Sequence, residues 1–241
     1  MITLSQLKFV GRKKNLKNIE QMLQDYLLEK VMYILGTLWF DRVVLKGGTA
    51  LCKFYGVPRF SRDIDIEFVA ETPEAVFVLF DTIREYLERE GFRVGDVGKP
   101  SRKKNWFFHT LSVFVPSMRL SGGILIEVKY VDRHPPHEDL EYDSMYPDIL
   151  PCSLKVASIE YILEEKIRAI MDLSRYQIRD LFDIYYVARK FGFQISEIIG
   201  ERISEFCHIA RSMLRHWDEL ADIVLIRLPE PKKVLETLGC A

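Results

Sequence analysis

The sequence has no excess of charge of one sign, because 34 Lys and Arg residues face 35 Asp and Glu residues and the net charge is −1. A nucleic acid would therefore need a local basic patch, since there is no global basic field. The chain has no apolar run as long as a membrane span, and its start, MITLSQLKFVGRKKNLKN, lacks the apolar core of a signal peptide. We expect a cytoplasmic protein without a membrane segment.

Residues typical of zinc sites and disulfide frameworks are also scarce. The four cysteines form no CxxC pair, and they are Cys52, Cys152, Cys207 and Cys240. Such scattered positions suit neither a zinc knuckle nor a disulfide framework, and they favour a reducing compartment. His134 and His137 flank two prolines that preclude a helical metal face, so we predict a solvated loop there.

The apolar content, 48% of 241 residues, is enough for one large domain or two small ones. Strand-like and helical spacings of apolar residues mix up to about residue 150, and helical spacing dominates after it. We expect an α/β domain with N-terminal helices over 1–150 and a helical domain over 151–241. The helical domain is expected to complete a functional cleft with the first domain. The predicted strands are 43–45, 63–69, 93–97, 107–115 and 124–130. The predicted helices are 16–40 (one or two), 50–55, 72–90, 159–173, 178–190, 196–215 and 219–226. Loops are predicted over 98–104 and 132–151.

A short β-branched strand leads into Lys46-Gly47-Gly48-Thr49, where a helix is predicted to begin. Glycine lets the backbone approach a ligand closely, and unpaired N–H groups at a helix start favour a negative charge. The turn is therefore a candidate phosphate cradle. Taken alone, the pattern is a weak signal and is more typical of a tight strand-to-helix turn.

The next predicted strand carries Asp63 and Asp65, which share one face because side chains alternate along a strand. Two neighbouring carboxylates repel each other unless a cation shares their charge, and Mg²⁺ is normally held by one or two carboxylates plus substrate phosphates. The alternative is a solvated strand face with Arg59 and Arg62 as counter-ions.

The combination of these motifs resembles a known family. LKGGTAL followed by RFSRDIDIEF is similar to the first motif of the DNA polymerase β-like nucleotidyltransferase superfamily, in particular of AbiEii/AbiGii-type toxins. EEKIRAI at 164–170 and RDLFDIYYVAR at 179–189 resemble two later motifs of that family, so the likeness spans roughly residues 20–190. It implies an α+β fold, with a polymerase β-like core of a mixed sheet and flanking helices, followed by a C-terminal helical bundle.

The resemblance also implies roles for individual residues. The residues implied to bind the nucleoside triphosphate are Lys46, Gly47, Gly48, Thr49, Ser61 and Lys166. Asp63 and Asp65 would hold Mg²⁺ or Mn²⁺, with two ions expected. The family needs a third acid on a neighbouring strand, and Glu127 is the single acid of the apolar run ILIEVK, although it could instead be an edge residue paired with Lys129. Either Asp180 or Asp183, three residues apart on one helical face, could orient Lys166.

In the resembled family a nucleoside monophosphate passes from a nucleoside triphosphate to an acceptor, which can be the 3′ end of tRNA. Other RNA or a protein is also a candidate acceptor, and the family's two-gene organisation makes an antitoxin partner plausible. Arg102-Lys103-Lys104 before Trp106 and Phe108, and Arg175 with Arg179, are places that could contact RNA.

Two other functions use the same residues. Asp65 with Glu127 and Lys129 imitates the D…ExK arrangement of metal-dependent nucleases, but leaves Gly47–Thr49 and Lys166 without a role. The other is a nucleotide-binding protein without turnover, since a sequence does not demonstrate an assembled site.

Overall fold

The computed structural model describes residues 1–172 and 177–240, arranged in two compact units. The first unit comprises Met1–Ala50 and Phe60–Ala157, and the second comprises Leu51–Arg59 and the described chain from Ser158 onward. The division therefore differs from the expected boundary at residue 150, because the last strand stays with the first unit and the short segment Leu51–Arg59 joins the second. The predicted RNA contact Arg175 lies outside the described residues.

The first unit contains one mixed sheet and its covering helices. The helices are α1 Leu4–Lys13, α2 Ile19–Leu38, α3 Gly47–Lys53, which begins in this unit, and α4 Ala75–Arg89. The strands are β1 Val43–Lys46, β2 Asp63–Val69, β3 Arg93–Asp96, β4 Ser101–Lys103, β5 Trp106–Val115, β6 Leu120–Val131, β7 His137–Tyr142 and β8 Cys152–Ala157. They are ordered β3-β5-β6-β2-β1-β8-β7, with β4 paired to β5. The β2–β6 and β1–β8 pairs are parallel, and the other pairs are antiparallel.

The two faces of this sheet differ because side chains alternate along each strand. On β6, Ile124, Ile126 and Val128 are fully buried on the face that α2 and α4 cover. Leu23 and Leu27 of α2 lie against Gly122 on that face, where a Cβ atom would be 3.1 Å from both side chains. The opposite face carries the acids Asp63 and Asp65, and we call it the acidic face.

Helix α2 runs through Gly36 without the predicted interruption. A Cβ atom at Gly36 would lie 2.5 Å from the main-chain oxygen of Ser153, so the glycine allows α2 to approach β8 rather than breaking the helix. The helix is buried around most of its circumference, and even the charged residues Asp25, Glu29 and Lys30 are buried. Lys14 neutralises the first two, with its Nζ atom 2.7 Å from Asp25 and in contact with Glu29.

Several local predictions for the first unit were wrong. Thr72 does not cap a helix: residues 72–74 form a turn, and α4 begins at Ala75 without a side-chain cap. The two predicted loops contain β4 and β7, and His137 begins β7 rather than lying in a solvated loop. Strand pairing with β5 and β8 supplies hydrogen bonds that a polar sequence pattern does not reveal.

The second unit is helical beyond its first segment. Its helices are α5 Ile159–Met171, α6 Ile178–Phe191, α7 Ile195–Ile199, α8 Ile203–Met213 and α9 Pro231–Thr237, with 3₁₀ turns at Gly200–Arg202 and Leu214–Asp222. The single helix predicted over 196–215 is wrong, because Gly200 has a φ of 55° and separates α7 from α8. The prediction for 159–173 includes Leu173, which lies outside the described residues. No helix in the described ranges has the length and apolarity needed to cross a membrane.

The expectation of no disulfide was also wrong. Cys207 on α8 and Cys240 after α9 form a disulfide across 33 residues of sequence, whereas Cys52 and Cys152 are free. The spacing of cysteines did not indicate this pair, because the chain reversal between α8 and α9 brings together residues that are remote in sequence.

Reduction of this disulfide is expected to lower the free energy of unfolding of the second unit by about 2–4 kcal/mol, because an open chain of this length gains entropy on unfolding. Urea unfolding with and without dithiothreitol measures the difference. The Cys240→Ser variant should show the lower stability already and should not respond to the reductant. Equal stability of oxidised and reduced wild type would contradict the prediction.

Candidate active site

Three acids predicted from the sequence lie together on the acidic face. Asp63 and Asp65 alternate with the buried Ile64 on β2 and are partly exposed. In the parallel pairing of β2 with β6, Asp65 is the direct partner of Glu127, and Asp63 is the partner of Leu125. Paired residues on neighbouring strands point to the same face and lie about 5 Å apart. Glu127 is therefore next to Asp65 on an interior strand of the sheet and is not an edge residue.

The Gly-Gly turn holds the carboxylate of Asp65. Gly47 has a φ of +66°, and a Cβ atom there would lie 2.3 Å from Asp65 Oδ2 and 2.9 Å from Asp65 Cβ. Only glycine satisfies both the backbone conformation and this contact. Gly47 thus brings the start of α3 directly against the acid on β2.

Thr49 fastens the same turn to the beginning of β2. Its side chain is fully buried, and its hydroxyl donates to the main-chain oxygen of Asp63 at 2.5 Å. Ser61 Oγ lies 3.0 Å from Thr49 Oγ1 and is partly exposed. Thr49 therefore positions Asp63 and the turn, whereas Ser61 remains accessible beside them.

Two lysines and a further acid extend the acidic face. Glu67, two residues beyond Asp65, is 2% exposed. Lys129 Nζ donates to Glu67 Oε1 at 2.7 Å, and Lys46 Nζ lies 3.3 Å from the same oxygen. Sequence reasoning missed Glu67, although the two-residue alternation from Asp63 and Asp65 continues to it. Lys129 is thus bonded to an acid that the nuclease interpretation does not use.

The donor set suits a hard divalent cation in its chemistry. Carboxylate oxygens of Asp63, Asp65 and Glu127 are the ligands that Mg²⁺ and Mn²⁺ prefer. Within residues 1–172 and 177–240, however, no three His, Cys, Asp or Glu side chains converge closely enough to hold an ion alone. Magnesium in nucleotide sites is usually held by one or two protein carboxylates with substrate phosphates, so a partial protein shell fits that use.

The predicted lysine and its two aspartates meet in the second unit. Lys166 Nζ on α5 lies 2.5 Å from Asp180 Oδ1 and 3.1 Å from Asp183 Oδ2, so both aspartates on α6 contact it. Asp183 also accepts two hydrogen bonds from Arg59, at 2.6 Å from Nε and 2.7 Å from Nη2. Arg59 is 3% exposed, so its guanidinium is buried against Asp183 and does not lie on a solvated strand face. Its partner is 124 residues away, which no local pattern indicates.

Burial and ion pairing oppose each other in this cluster. Burial tends to raise the pKa of Asp183, but the charges of Arg59 and Lys166 outweigh it and hold that pKa below its usual value. Burial likewise tends to lower the pKa of Lys166, and Asp183 and Asp180 outweigh it and raise that pKa. Both shifts favour the ionised forms, so Asp183 is a carboxylate and Lys166 a cation at neutral pH.

Arg179, another residue predicted to contact RNA, lies in the second unit. Arg179 Nε donates to Gln177 Oε1 at 2.8 Å beside the start of α6.

The first unit thus combines a mixed sheet, acids in register on two of its strands and a Gly-Gly turn against one of these acids. MenT4, a nucleotidyltransferase toxin from Mycobacterium tuberculosis, is similar over 97% of this chain and 88% of its own, at a TM-score of 0.64 and 22% identity. JHP933 from Helicobacter pylori is similar over 93% and 90%, at a TM-score of 0.65 and 20% identity. At such identities these likenesses show the fold alone, and they confirm the predicted α+β class.

The family follows from the sequence itself. The model of the family described as nucleotidyl transferase AbiEii toxin, type IV toxin–antitoxin system, matches residues 33–230, which is more than half of the chain. The protein belongs to this family, as its motifs indicated. No protein of curated function matches the sequence.

Gly47→Ala is expected to reduce nucleotidyl transfer on the order of 100-fold, because the new methyl group must displace the Asp65 carboxylate. Transfer of label from a nucleoside triphosphate measures the effect. Gly98→Ala is the matched control, since Gly98 also has a positive φ of +78° but no atom within 4 Å of an added Cβ. If both variants lose activity equally, the Asp65 contact is not the reason.

Asp183→Asn should lower the free energy of unfolding by about 3–5 kcal/mol, since it leaves the buried Arg59 and the partly buried Lys166 with one carboxylate fewer. The pKa of Asp183 is depressed in the folded state, so its contribution is complete above its unfolded-state pKa of about 3.9 and is lost only as pH falls through the lower folded value.

Urea unfolding between pH 7 and pH 3 tests this prediction. The difference between wild type and Asp183→Asn should persist to about pH 4 and shrink below it. Glu164→Gln, which removes an exposed pair with Arg168 on α5, serves as the control and should cost about 0.5 kcal/mol or less. Similar losses in the two variants would argue against a buried ionic cluster.

Proposed function

We propose that this protein transfers a nucleoside monophosphate from a nucleoside triphosphate to an acceptor hydroxyl and releases pyrophosphate. The observation that carries the proposal is the row formed by Asp65 and Glu127 in register on β2 and β6, with Gly47 against Asp65. Asp63 extends the row by one alternation of β2. Family membership supports nucleotidyl transfer in general, and the substrate, metal and acceptor are our proposals.

Asp63, Asp65 and Glu127 would hold Mg²⁺ or Mn²⁺, with two ions expected in this family. When bound, a divalent cation supplies positive charge to the phosphates and lowers the pKa of a coordinated hydroxyl. We propose that Glu127, the acid beside Asp65 on the neighbouring strand, also accepts a proton from the attacking hydroxyl. Gly47 and Gly48, at the start of α3, would offer main-chain N–H groups to a phosphate, and the partly exposed Ser61 would add a hydroxyl.

We propose that Lys166 binds phosphate of the same substrate. This role rests on the match of EEKIRAI and RDLFDIYYVAR to the family's later motifs. Asp180 and Asp183 keep the ammonium group charged and fix its position, and Arg59 fixes Asp183 in turn. A fixed cation stabilises the negative charge that develops on departing pyrophosphate.

We further propose that the acceptor is RNA, in particular the 3′ end of tRNA, and that an antitoxin protein controls the activity in the cytoplasm. The type IV toxin–antitoxin description of the family supports an antitoxin partner. The resemblance to toxins that modify tRNA supports the acceptor.

Asp63→Asn combined with Asp65→Asn should reduce transfer at least on the order of 100-fold, because the main carboxylates of the site lose their charge. The assay incubates the protein with Mg²⁺ and each labelled nucleoside triphosphate, with and without total tRNA. Glu138→Gln is the control, since Glu138 is an exposed acid of β7 in the same sheet.

Label on RNA supports the proposal, and full activity of the double variant contradicts it. RNA that is shortened without any nucleoside triphosphate would instead indicate a nuclease. Nucleotide binding without either product would indicate a binding protein.

A further inference from the structure

Two aromatic rings lie on the acidic face without belonging to the core. Trp106 and Phe108 occupy alternate positions of β5, and their rings are nearly parallel, with centroids 6.3 Å apart and planes 13° apart. Both are partly exposed, whereas Phe107 between them is fully buried on the opposite face. Phe107 therefore belongs to the core, whereas Trp106 and Phe108 keep part of their rings exposed on the acidic face.

The strand register places this pair beside the acids. Phe108 is the direct partner of Glu127, which is the partner of Asp65. Phe108 is thus two strands from Asp65, a separation of about 10 Å. Trp106 is the partner of Lys129 in the same manner. The aromatic pair lies in the same rows of the sheet as the residues proposed to bind metal and phosphate.

Lysines fix the position of Trp106. Lys46 Nζ lies 5.0 Å from the centre of its ring, and Lys129 Nζ lies 5.9 Å from it. Both lysines also bond to the buried Glu67, so their ammonium groups are held in place. A ring held by two cations keeps its orientation and loses little conformational entropy when a ligand stacks on it.

We infer that Trp106 and Phe108 form a stacking platform for the base of the nucleoside triphosphate. This inference rests on the proposed function, because it assigns the base end of the same substrate whose phosphates would lie at Gly47 and the acids. A nucleotide extends from its phosphates to a flat aromatic base, and the acidic face offers charged groups and flat rings in that order along one row. Stacking recognises the π-face that every base has, so the platform favours nucleotides over bare polyphosphate without selecting one base.

The test compares binding of a nucleoside triphosphate with binding of inorganic tripolyphosphate, both with Mg²⁺, by titration calorimetry. Phe108→Ala should weaken nucleotide binding about 5- to 150-fold and leave tripolyphosphate binding unchanged. Phe108→Leu retains most of the apolar volume that folding needs and should also weaken nucleotide binding. Phe108→Tyr keeps an aromatic ring and should bind the nucleotide as wild type does. Phe114→Leu is the matched control, because Phe114 is a partly exposed ring on the same face and strand, three alternate positions beyond Phe108.

Nucleotide affinity that is unchanged in both Phe108→Ala and Phe108→Leu would overturn the platform, while wild-type transfer activity would leave the proposed function intact. Equal weakening of nucleotide and tripolyphosphate would also overturn it, since the residue would then act on the phosphate site. Wild-type protein that binds neither ligand and transfers no label would overturn both the platform and the proposed function. Thermal unfolding of each variant shows whether the fold is retained.

Discussion

The acidic face depends on the parallel pairing of β2 with β6. This pairing brings Glu127 next to Asp65, and two carboxylates at that spacing repel each other. Part of the sheet's charge is offset within the protein, because Lys46 and Lys129 both bond to Glu67. Asp63, Asp65 and Glu127 lie on the same face, and their carboxylates would suit a divalent cation together with phosphates. A site arranged in this way is built on strands, whose hydrogen bonds hold the acids in place before substrate binds.

In the second unit the buried charges are compensated by side chains of the protein itself. Asp183 is fully buried between Arg59 and Lys166, and Asp180 shares Lys166, so two cations and two anions compensate one another. A buried ionic cluster contributes little net stability, since desolvation offsets most of the attraction, but removing one member is costly. The arrangement therefore fixes the orientation of Lys166 rather than adding much to the stability of α5 and α6. A lysine held in this manner can bind an anion without losing further side-chain entropy.

The two ways of managing charge agree with family membership. The proposed transfer of a highly charged nucleotide would use both the carboxylates on the acidic face and the cation held by aspartates. The aromatic pair Trp106 and Phe108 adds a neutral surface in the same rows of the sheet. The metal and phosphates would then lie at the acids of β2 and β6, and the base would lie at the aromatic pair of β5. Strand register sets the order of these groups across the sheet.

The sequence alone determined what depends on neighbouring residues. The strand Asp63–Val69, the turn at Gly47 and the helices α5 and α6 followed from alternation, glycine and helical spacing, and the joint pattern indicated the family. The tertiary structure decided which residues meet. It placed Glu127 beside Asp65, paired Arg59 with Asp183 across 124 residues, joined Cys207 to Cys240 and moved Leu51–Arg59 into the helical unit. These outcomes were not readable in advance, because periodicity records the burial of each element, whereas register and partners depend on how the buried faces of distant elements pack together.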